Sequence, residues 1–193
     1  MFIKNRKLRS ATNRAASFLG ARMWAFAPIP SDGKIQFYKR DQADFGFLSN
    51  YCLAPVEING VNWPHIEAYY QSRKSENPAY HARILEREKP SWSKYVGDSR
   101  IGHPRLSKKS WFRKRPQDFR ADWDQVKVDE MRIALRAKFT QHTPLRLSLL
   151  ATGSAKIIED CSTDFFWGVG EDGSGENWLG RLLMALRTDL ARR

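Results

Sequence analysis

With 193 residues, 41% of them hydrophobic, the chain is long enough to bury one core and too short for two ordinary domains. Its apolar runs fall well short of the roughly 18 residues that a membrane-spanning helix requires, so a membrane protein is not expected. Cys52 and Cys161 are too few for a disulfide framework, and neither has a Cys or His at zinc-finger spacing. Two reduced thiols and a cytoplasmic protein are therefore expected.

The net charge of +12 is unevenly distributed along the chain. Residues 1–30 contain six Lys or Arg and no acid, and residues 31–193 carry the remaining +6. An organelle-targeting presequence, a basic arm on nucleic acid and a disordered tail all fit this composition. We predict a basic, flexible extension over 1–30 and one domain over 31–193, because Pro28, Pro30 and Gly33 precede the first strand-like residues.

The first half of this domain carries clear local signals. Alternating residues predict a strand at 35–38, and Asn59-Gly60 predicts a tight hairpin between Val56–Ile58 and Val61–Trp63. Pro64 stands where a helix can begin, and residues 65–75 are predicted to form that helix.

A polar stretch at 98–120 contains eight Lys or Arg with Trp and Phe among them. It is predicted to be a loop with short helical pieces. A segment of this composition could bind a nucleic-acid backbone or the phosphates of a nucleotide. A solvated loop whose positive charges repel one another fits the composition equally well.

The second half is predicted to be mainly helical. Apolar residues recur three or four apart over 125–139, and Thr143 with Pro144 begins a further helix that Gly153 ends. A brief strand follows at 156–159, and Asn177 is expected to cap a final amphipathic helix. The whole is an α+β single domain, predominantly helical, with small β elements.

The helix at 65–75 carries a candidate catalytic group. Glu67 and Lys74 are almost two helical turns apart and so share one face, with Tyr70 and Gln71 between them. This trio of acid, amide and amine could perform general acid–base chemistry, or present an amine nucleophile if burial lowers the pKa of the lysine. A solvated helix face with a loose side-chain ladder fits the same spacing.

A second cluster runs from Asp164 through Trp167 and Gly168 to Gly175 and the helix that follows Asn177. Glycines allow close approach of a ligand, a helix N-terminus can bind phosphate, and Trp167 can stack on a flat base. An ordinary glycine loop with a buried tryptophan fits as well. The four histidines are too scattered for a metal site, and no dinucleotide or Walker motif is present, so neither metal nor cofactor is expected.

Taken in order, these segments resemble the NADAR family (NAD- and ADP-ribose-associated). The resemblance covers nearly all of 31–193 and rests on the following matches: Phe47-Leu48-Ser49-Asn50, Asn59-Gly60, Trp63-Pro64, Glu67 to Lys74, Trp123, Met131-Arg132, Ala137-Lys138-Phe139, Leu149 to Gly153, Glu159, Asp164, Trp167-Gly168, Gly175, Asn177, Leu179-Gly180, Leu182-Leu183-Met184 and Arg187. Two features depart from the family: Ala68 replaces a His that many members have after the motif Glu, and the stretch 98–120 is longer than in compact members.

The resemblance implies hydrolysis of a ribose C1–N bond. Two substrate classes are implied, ADP-ribose on guanine of DNA or RNA and the phosphoribosylamino-pyrimidine intermediates of riboflavin synthesis. The positive charge favours the polyanionic first class, and a non-catalytic module that binds ADP-ribose or nucleic acid is the alternative from another class.

We expect Lys74 to form an imine with the opened ribose or, in a simpler route, to balance charge while Glu67 activates water. The implied catalytic residues are Glu67, Lys74 and Asp164, and the implied substrate-binding residues are Asn50, Tyr70, Gln71, Trp123, Trp167, Gly168, Gly175, Asn177 and Gly180.

Overall fold

Six α-helices and two small two-stranded sheets form the part of the chain that the structure, a computed structural model, describes: residues 28–38, 41, 44–97 and 119–192. In chain order the elements are β1 (Lys34–Phe37), a 3-10 turn (Gly46–Leu48), β2 (Val56–Ile58), β3 (Val61–Trp63), α1 (Ile66–Ser72), α2 (Pro78–Leu85), α3 (Pro90–Gly97), α4 (Trp123–Gln141), α5 (Thr143–Ala151), β4 (Lys156–Glu159) and α6 (Trp178–Ala191). The predicted α+β, mainly helical class is confirmed. The predictions for 1–30 and for most of 98–120 fall outside the described residues.

The two sheets are built differently. β2 and β3 form the predicted hairpin, in which Asn59 and Gly60 have φ angles of 54° and 75°, the left-handed values that a tight two-residue turn needs. β1 pairs in parallel with β4, so that Ile35 lies opposite Ile157. This second pairing joins strands more than a hundred residues apart.

Helix α1 is buried along its whole length and lies at the centre of the fold. His65 caps it, because its Nδ1 accepts a hydrogen bond of 3.0 Å from the backbone N–H of Ala68. The helix ends at Ser72, so the prediction of one continuous helix over 65–75 is wrong at its C-terminal end, and Lys74 follows in a turn. A solvated ladder on this helix is ruled out because Glu67 and Gln71 are buried.

Helix α4 contributes the predicted core stripe, with Met131, Leu135 and Phe139 fully buried. The start of α5 differs from the prediction: His142 occupies the N-cap position and Thr143 is the first helical residue. The reason is the extended backbone of His142, which alone separates α4 from α5. No described helix is both long and apolar enough to cross a membrane.

Helices α2 and α3 were not predicted, although one of them carries a recognisable start signal. Asn77 caps α2 by accepting a hydrogen bond from the Ala79 N–H at 2.9 Å, and Pro78 occupies the first turn. α3 begins at Pro90. Both helices pack beside α1, and α3 brings its C-terminal residue Gly97 to the end of that helix.

Lys138 on α4 is fully buried in the core, and its Nζ donates to the carbonyl of Ser49 at 2.9 Å. This contact joins α4 to the segment that ends in Asn50. Burial lowers the pKa of Lys138 from 10.5 to about 8, since a charged ammonium is poorly solvated there.

We expect Lys138 to make the free energy of unfolding depend on pH in the alkaline range. The pKa of Lys138 is lower in the folded chain than the 10.5 of the unfolded chain, because the folded core favours the neutral amine. Its contribution to the free energy of unfolding is therefore fully present above pH 10.5 and is lost as the pH falls to about 8. The difference should be about 3 kcal/mol for a shift of this size. Urea unfolding of the wild type and of Lys138→Met between pH 7.5 and 10 measures it. An equal pH slope in both proteins would contradict this assignment.

Candidate active site

A cavity of about 680 Å³ opens among α1, α3, the start of α4 and the loop that follows β4. It brings together eight residues that the sequence singled out: Asn50, Glu67, Tyr70, Gln71, Lys74, Trp123, Asp164 and Trp167. They come from four separate parts of the chain. A cavity of this size suits a nucleotide-sized ligand.

Glu67 lies in the first turn of α1, with 4% of its surface exposed. Its Oε1 accepts a hydrogen bond of 2.9 Å from Nε2 of Gln71, one turn later. Burial raises the pKa of Glu67, while the Gln71 amide, Lys94, Lys74 and the Asn50 amide act in the opposite direction. A carboxylate with amide donors and a raised pKa is suited to act as a general base.

Lys74 is buried just beyond the end of α1. Its Nζ donates to the carbonyl of Gly97 at 2.6 Å and lies 5.8 Å from the ring centroid of Tyr70 and 5.6 Å from that of Trp123. The Lys74 carbonyl accepts the N–H of Arg120 at 2.9 Å. A carbonyl oxygen and two aromatic rings are the surroundings that stabilise an ammonium.

Three aromatic rings form one wall of the cavity. The centroid of Tyr70 is 5.1 Å from that of Trp123 and 5.6 Å from that of Trp167, the latter at an interplanar angle of 88°. Burial raises the pKa of Tyr70 well above its ordinary value, which keeps its hydroxyl protonated. The wall offers flat apolar surface to a base or a ribose.

Asp164 is fixed by its own loop. Its Oδ1 accepts the backbone N–H groups of Phe166 at 3.0 Å and Trp167 at 2.8 Å. These two bonds orient the carboxylate at the cavity wall, where it is partly exposed. They also tie the position of the Trp167 ring to that of the carboxylate.

The predicted phosphate site at the N-terminus of α6 requires correction. The N–H groups of Asn177, Trp178 and Leu179 already donate to the carbonyls of Gly168, Phe166 and Trp167, at 3.0, 3.0 and 3.2 Å. Asn177, with a left-handed φ of 53°, does not cap the helix with its side chain. The loop that precedes α6 therefore already occupies these three N–H groups, which a phosphate at this helix terminus would need.

Gly168, Gly175, Asn177 and Gly180 are not among the described residues that line the cavity. Their role in the structure is close packing. A Cβ at Gly180 would lie 2.2 Å from the Ile157 carbonyl oxygen, and one at Gly168 would lie 2.8 Å from that of Glu159. The side chain of Asn177 bonds the same strand, as acceptor from the Glu159 N–H and donor to the Ile157 carbonyl, both at 2.9 Å.

We expect Gly180→Ala to lower stability and to leave substrate affinity of the folded fraction nearly unchanged. The new methyl group would meet a strand carbonyl that cannot move without breaking the β4 packing. Overpacking of this kind costs about 1–3 kcal/mol. Thermal unfolding and KM measure the two effects, with the exposed Ala185→Ser on the same helix as the control. A raised KM without loss of stability would instead place Gly180 against the substrate.

Five charged residues of the cavity lining were not selected from the sequence as site residues: Asp41, Lys94, Asp124, Lys127 and Glu159. Glu159 is the last residue of β4, and Lys94 lies on α3. Burial, together with Asp164, raises the pKa of Glu159 to about 8, and Lys94 opposes that shift. Glu159 appeared only among the family matches, and nothing local marks Lys94, because only the tertiary fold brings α3 to this cavity.

Several polar atoms at the cavity lack a hydrogen-bond partner among the described residues. They are Oδ1 of Asn50, Oε1 of Gln71 and Oε2 of Glu159. Gln71 is only 5% exposed. Buried polar atoms left without partners are costly, so their presence around one cavity indicates that a polar ligand or water completes them.

Carboxyl groups set against aromatic walls in a cavity of nucleotide size fit a site that hydrolyses glycosidic bonds. The sequence profile of the NADAR domain matches residues 36–191. The chain belongs to the NADAR family.

The relatives agree with this class. N-glycosidase YbiA of Escherichia coli (strain K12) is 37% identical over 84% of this chain and 92% of its own length. A riboflavin biosynthesis protein of Vibrio vulnificus is 37% identical over 81% of this chain and 38% of its own. The NMR structure of E. coli YbiA superposes with a TM-score of 0.71 at 36% identity, covering 89% of this chain and 92% of that one. This chain is an N-glycosidase, a hydrolase of N-glycosyl bonds.

Proposed function

We propose that this N-glycosidase removes ADP-ribose from guanine bases of nucleic acid by hydrolysing the bond between ribose C1 and nitrogen. The observation that carries the proposal is the convergence of Glu67 and Asp164 with a wall of aromatic rings in one cavity. Glu67 accepts the proton of the attacking water, and Asp164 contacts the ribose hydroxyls. The aromatic rings take the flat groups of the substrate.

Lys74 acts in this mechanism as a fixed positive charge. Its Nζ donates to a carbonyl and lies near two aromatic rings, and both kinds of contact stabilise an ammonium. The ammonium acts against the burial that raises the pKa of Glu67, and it balances charge as the base departs. An imine between Lys74 and ribose C1 is the competing route, and it requires the amine to lose its proton first.

The distribution of charge supports a polyanionic substrate. Residues 1–30 carry +6, and residues 98–120, with eight basic residues and two Asp, carry the other +6 of the net +12. Gly97 and Arg120, close to either end of the second segment, both bond Lys74. The described residues on either side of that segment therefore lie beside the cavity, and a net positive charge of this size would attract a nucleic-acid backbone.

A second candidate is cleavage of phosphoribosylamino-pyrimidine intermediates of riboflavin synthesis. The names of two relatives favour it, the Vibrio vulnificus protein and a chloroplastic riboflavin biosynthesis protein of Zea mays that is 35% identical over 81% of this chain. This chain spans only 38% and 25% of those proteins, so their names describe much longer molecules. YbiA of Escherichia coli, of which the match covers 92%, is named only as an N-glycosidase.

The two candidates separate in a parallel assay of the purified chain. One arm contains an oligonucleotide with ADP-ribosylated guanine, and the other contains the phosphoribosylamino-pyrimidine. We expect free ADP-ribose and unmodified oligonucleotide from the first arm, with a kcat/KM that falls steeply as salt increases. Mass spectrometry identifies both products.

The outcomes of this assay are distinct. Release of ribose 5-phosphate from the pyrimidine with no reaction on the oligonucleotide would assign the riboflavin substrate instead. Tight binding of ADP-ribose without turnover of either compound would contradict the proposed reaction on both. A Glu67→Gln preparation in each arm shows whether any cleavage belongs to this cavity.

A further inference from the structure

Glu159 is a carboxyl group of the cavity that the mechanism above does not use. Glu159 ends β4, and its Oε2 has no hydrogen-bond partner among the described residues. Glu67 differs, because it accepts an amide N–H from Gln71 and lies near the Asn50 amide. Amide donors favour the ionised form of a carboxyl, so Glu67 has a stabilising contact that Oε2 of Glu159 lacks in the part of the chain that the structure describes.

The structure holds Glu159 in place through its backbone. Its N–H donates to Oδ1 of Asn177 at 2.9 Å, and its carbonyl accepts the N–H of Val169 at 3.0 Å. Gly168 allows this loop to approach, since a Cβ there would lie 2.8 Å from the Glu159 carbonyl oxygen. The residues that the sequence assigned to substrate binding therefore position one carboxyl group at the cavity wall.

We infer that Glu159 is the general acid of the reaction and that Asn177 is its positioning residue. The C1–N bond breaks and its electron pair passes to the nitrogen of the base, which takes the proton from Oε2 of Glu159. A water molecule adds to C1 and gives its proton to Glu67. Proton exchange with solvent then restores both carboxyl groups, so the net reaction consumes one water. This assignment rests on the proposed reaction, and it does not depend on which base leaves.

The charged groups around Glu159 are consistent with this role. Asp164 from the loop and Glu67 from α1 favour its protonated form, while Lys94 from α3 opposes them. Tyr38, next to the end of β1, also faces it, and α6 contributes the neutral Asn177. With its pKa raised to about 8, Glu159 carries its proton at neutral pH. Two carboxyl groups in different surroundings, one bonded to an amide donor and one without a hydrogen-bond partner on Oε2 among the described residues, are a usual arrangement of an acid and a base in one site.

Glu159→Gln tests the assignment, because it keeps the shape of the protonated acid and removes the transferable proton. We expect kcat to fall about 10²- to 10⁴-fold. The alkaline limb of the wild-type pH profile, near the Glu159 pKa of about 8, should disappear. The matched control is Glu171→Gln, in an exposed turn outside the cavity lining. A Glu159→Gln variant with wild-type kcat and an unchanged alkaline limb would overturn the assignment.

Asn177→Gly tests the positioning role, because glycine keeps the left-handed backbone and loses both side-chain bonds to β4. We expect kcat to fall roughly 10- to 100-fold, as for a displaced catalytic group. The alkaline limb should move to lower pH as Glu159 becomes solvated. If Asn177→Gly loses stability but keeps the alkaline limb of its pH profile at the wild-type position, Asn177 has only a structural role.

A measurement without substrate keeps this inference separate from the proposed function. Carbon-13 NMR of labelled glutamate carboxyls, followed from pH 5 to 9, should show one resonance that titrates near pH 8 and is missing in Glu159→Gln. Titration of Glu159 near the ordinary value of 4.5 would overturn the inference even if the enzyme cleaves N-ribosides. If neither candidate substrate is cleaved while Glu159 still titrates near pH 8, only the proposed substrates are rejected.

Discussion

Replacement of Glu67 by Gln is expected to lower kcat by about 10²- to 10⁴-fold, since the variant can no longer accept a proton from water. Gln nearly preserves the volume of Glu and removes a buried charge, so the folded state should survive the change. KM should change little, because the neutral amide still fills the same position beside Gln71. The measurement is steady-state kinetics on the substrate that the wild type cleaves, with circular dichroism as the check of folding.

The pH dependence of activity is an independent test of the role of Glu67. Burial raises the pKa of Glu67, so the wild type should lose activity as the pH falls through a value above the ordinary 4.5 of glutamate. The residual activity of Glu67→Gln should lack this acid limb. Glu57→Gln on the exposed side of β2 is the control. Unchanged kcat in Glu67→Gln would remove Glu67 from the mechanism.

Replacement of Lys74 by Met should lower kcat about 10²- to 10³-fold, comparable to the loss of one preorganised electrostatic group. The charge near Glu67 disappears, and the carbonyl of Gly97 loses its ammonium partner. Lys74→Arg should recover part of the activity, because it restores a positive charge in a larger side chain. Kinetics of the three proteins at one pH provide the comparison.

Borohydride trapping separates the two roles of Lys74. With Lys74 as a counter-charge, reduction during turnover should yield no covalent adduct, and Lys74→Arg should remain active. An adduct located at Lys74 by peptide mass spectrometry would establish the imine route instead. In that case Lys74→Arg should be as inactive as Lys74→Met, since a guanidinium cannot act as the amine.

Local signals predicted well wherever a short stretch of sequence determines the conformation. Asn59-Gly60 requires positive φ angles, which specifies the hairpin, and the spacing of Met131, Leu135 and Phe139 specifies the buried face of α4. The seven-residue separation of Glu67 and Lys74 was less informative. Only burial of α1 among other helices distinguishes a cavity wall from a solvated ladder, and burial is a tertiary property.

Other features could not be predicted because they depend on distant parts of the chain. The parallel pairing of β1 with β4 has no local signal, and the place of Glu159 at the cavity follows from it. Asn177 resembled a helix cap, but its side chain bonds β4, a strand almost twenty residues earlier. The glycine-rich loop had the composition of a ligand-binding loop, and close packing against β4 explains its glycines.

The most direct test of the active site is a crystal structure of Glu67→Gln soaked with an uncleaved ADP-ribosylated guanine nucleotide. We expect the ribose in the cavity, with C1 facing residue 67, Asp164 on a ribose hydroxyl and the base within reach of Glu159. A substrate bound outside this cavity, or bound within it with C1 turned away from residue 67 and Glu159, would contradict the assignment of this cavity as the centre of N-glycosidic hydrolysis.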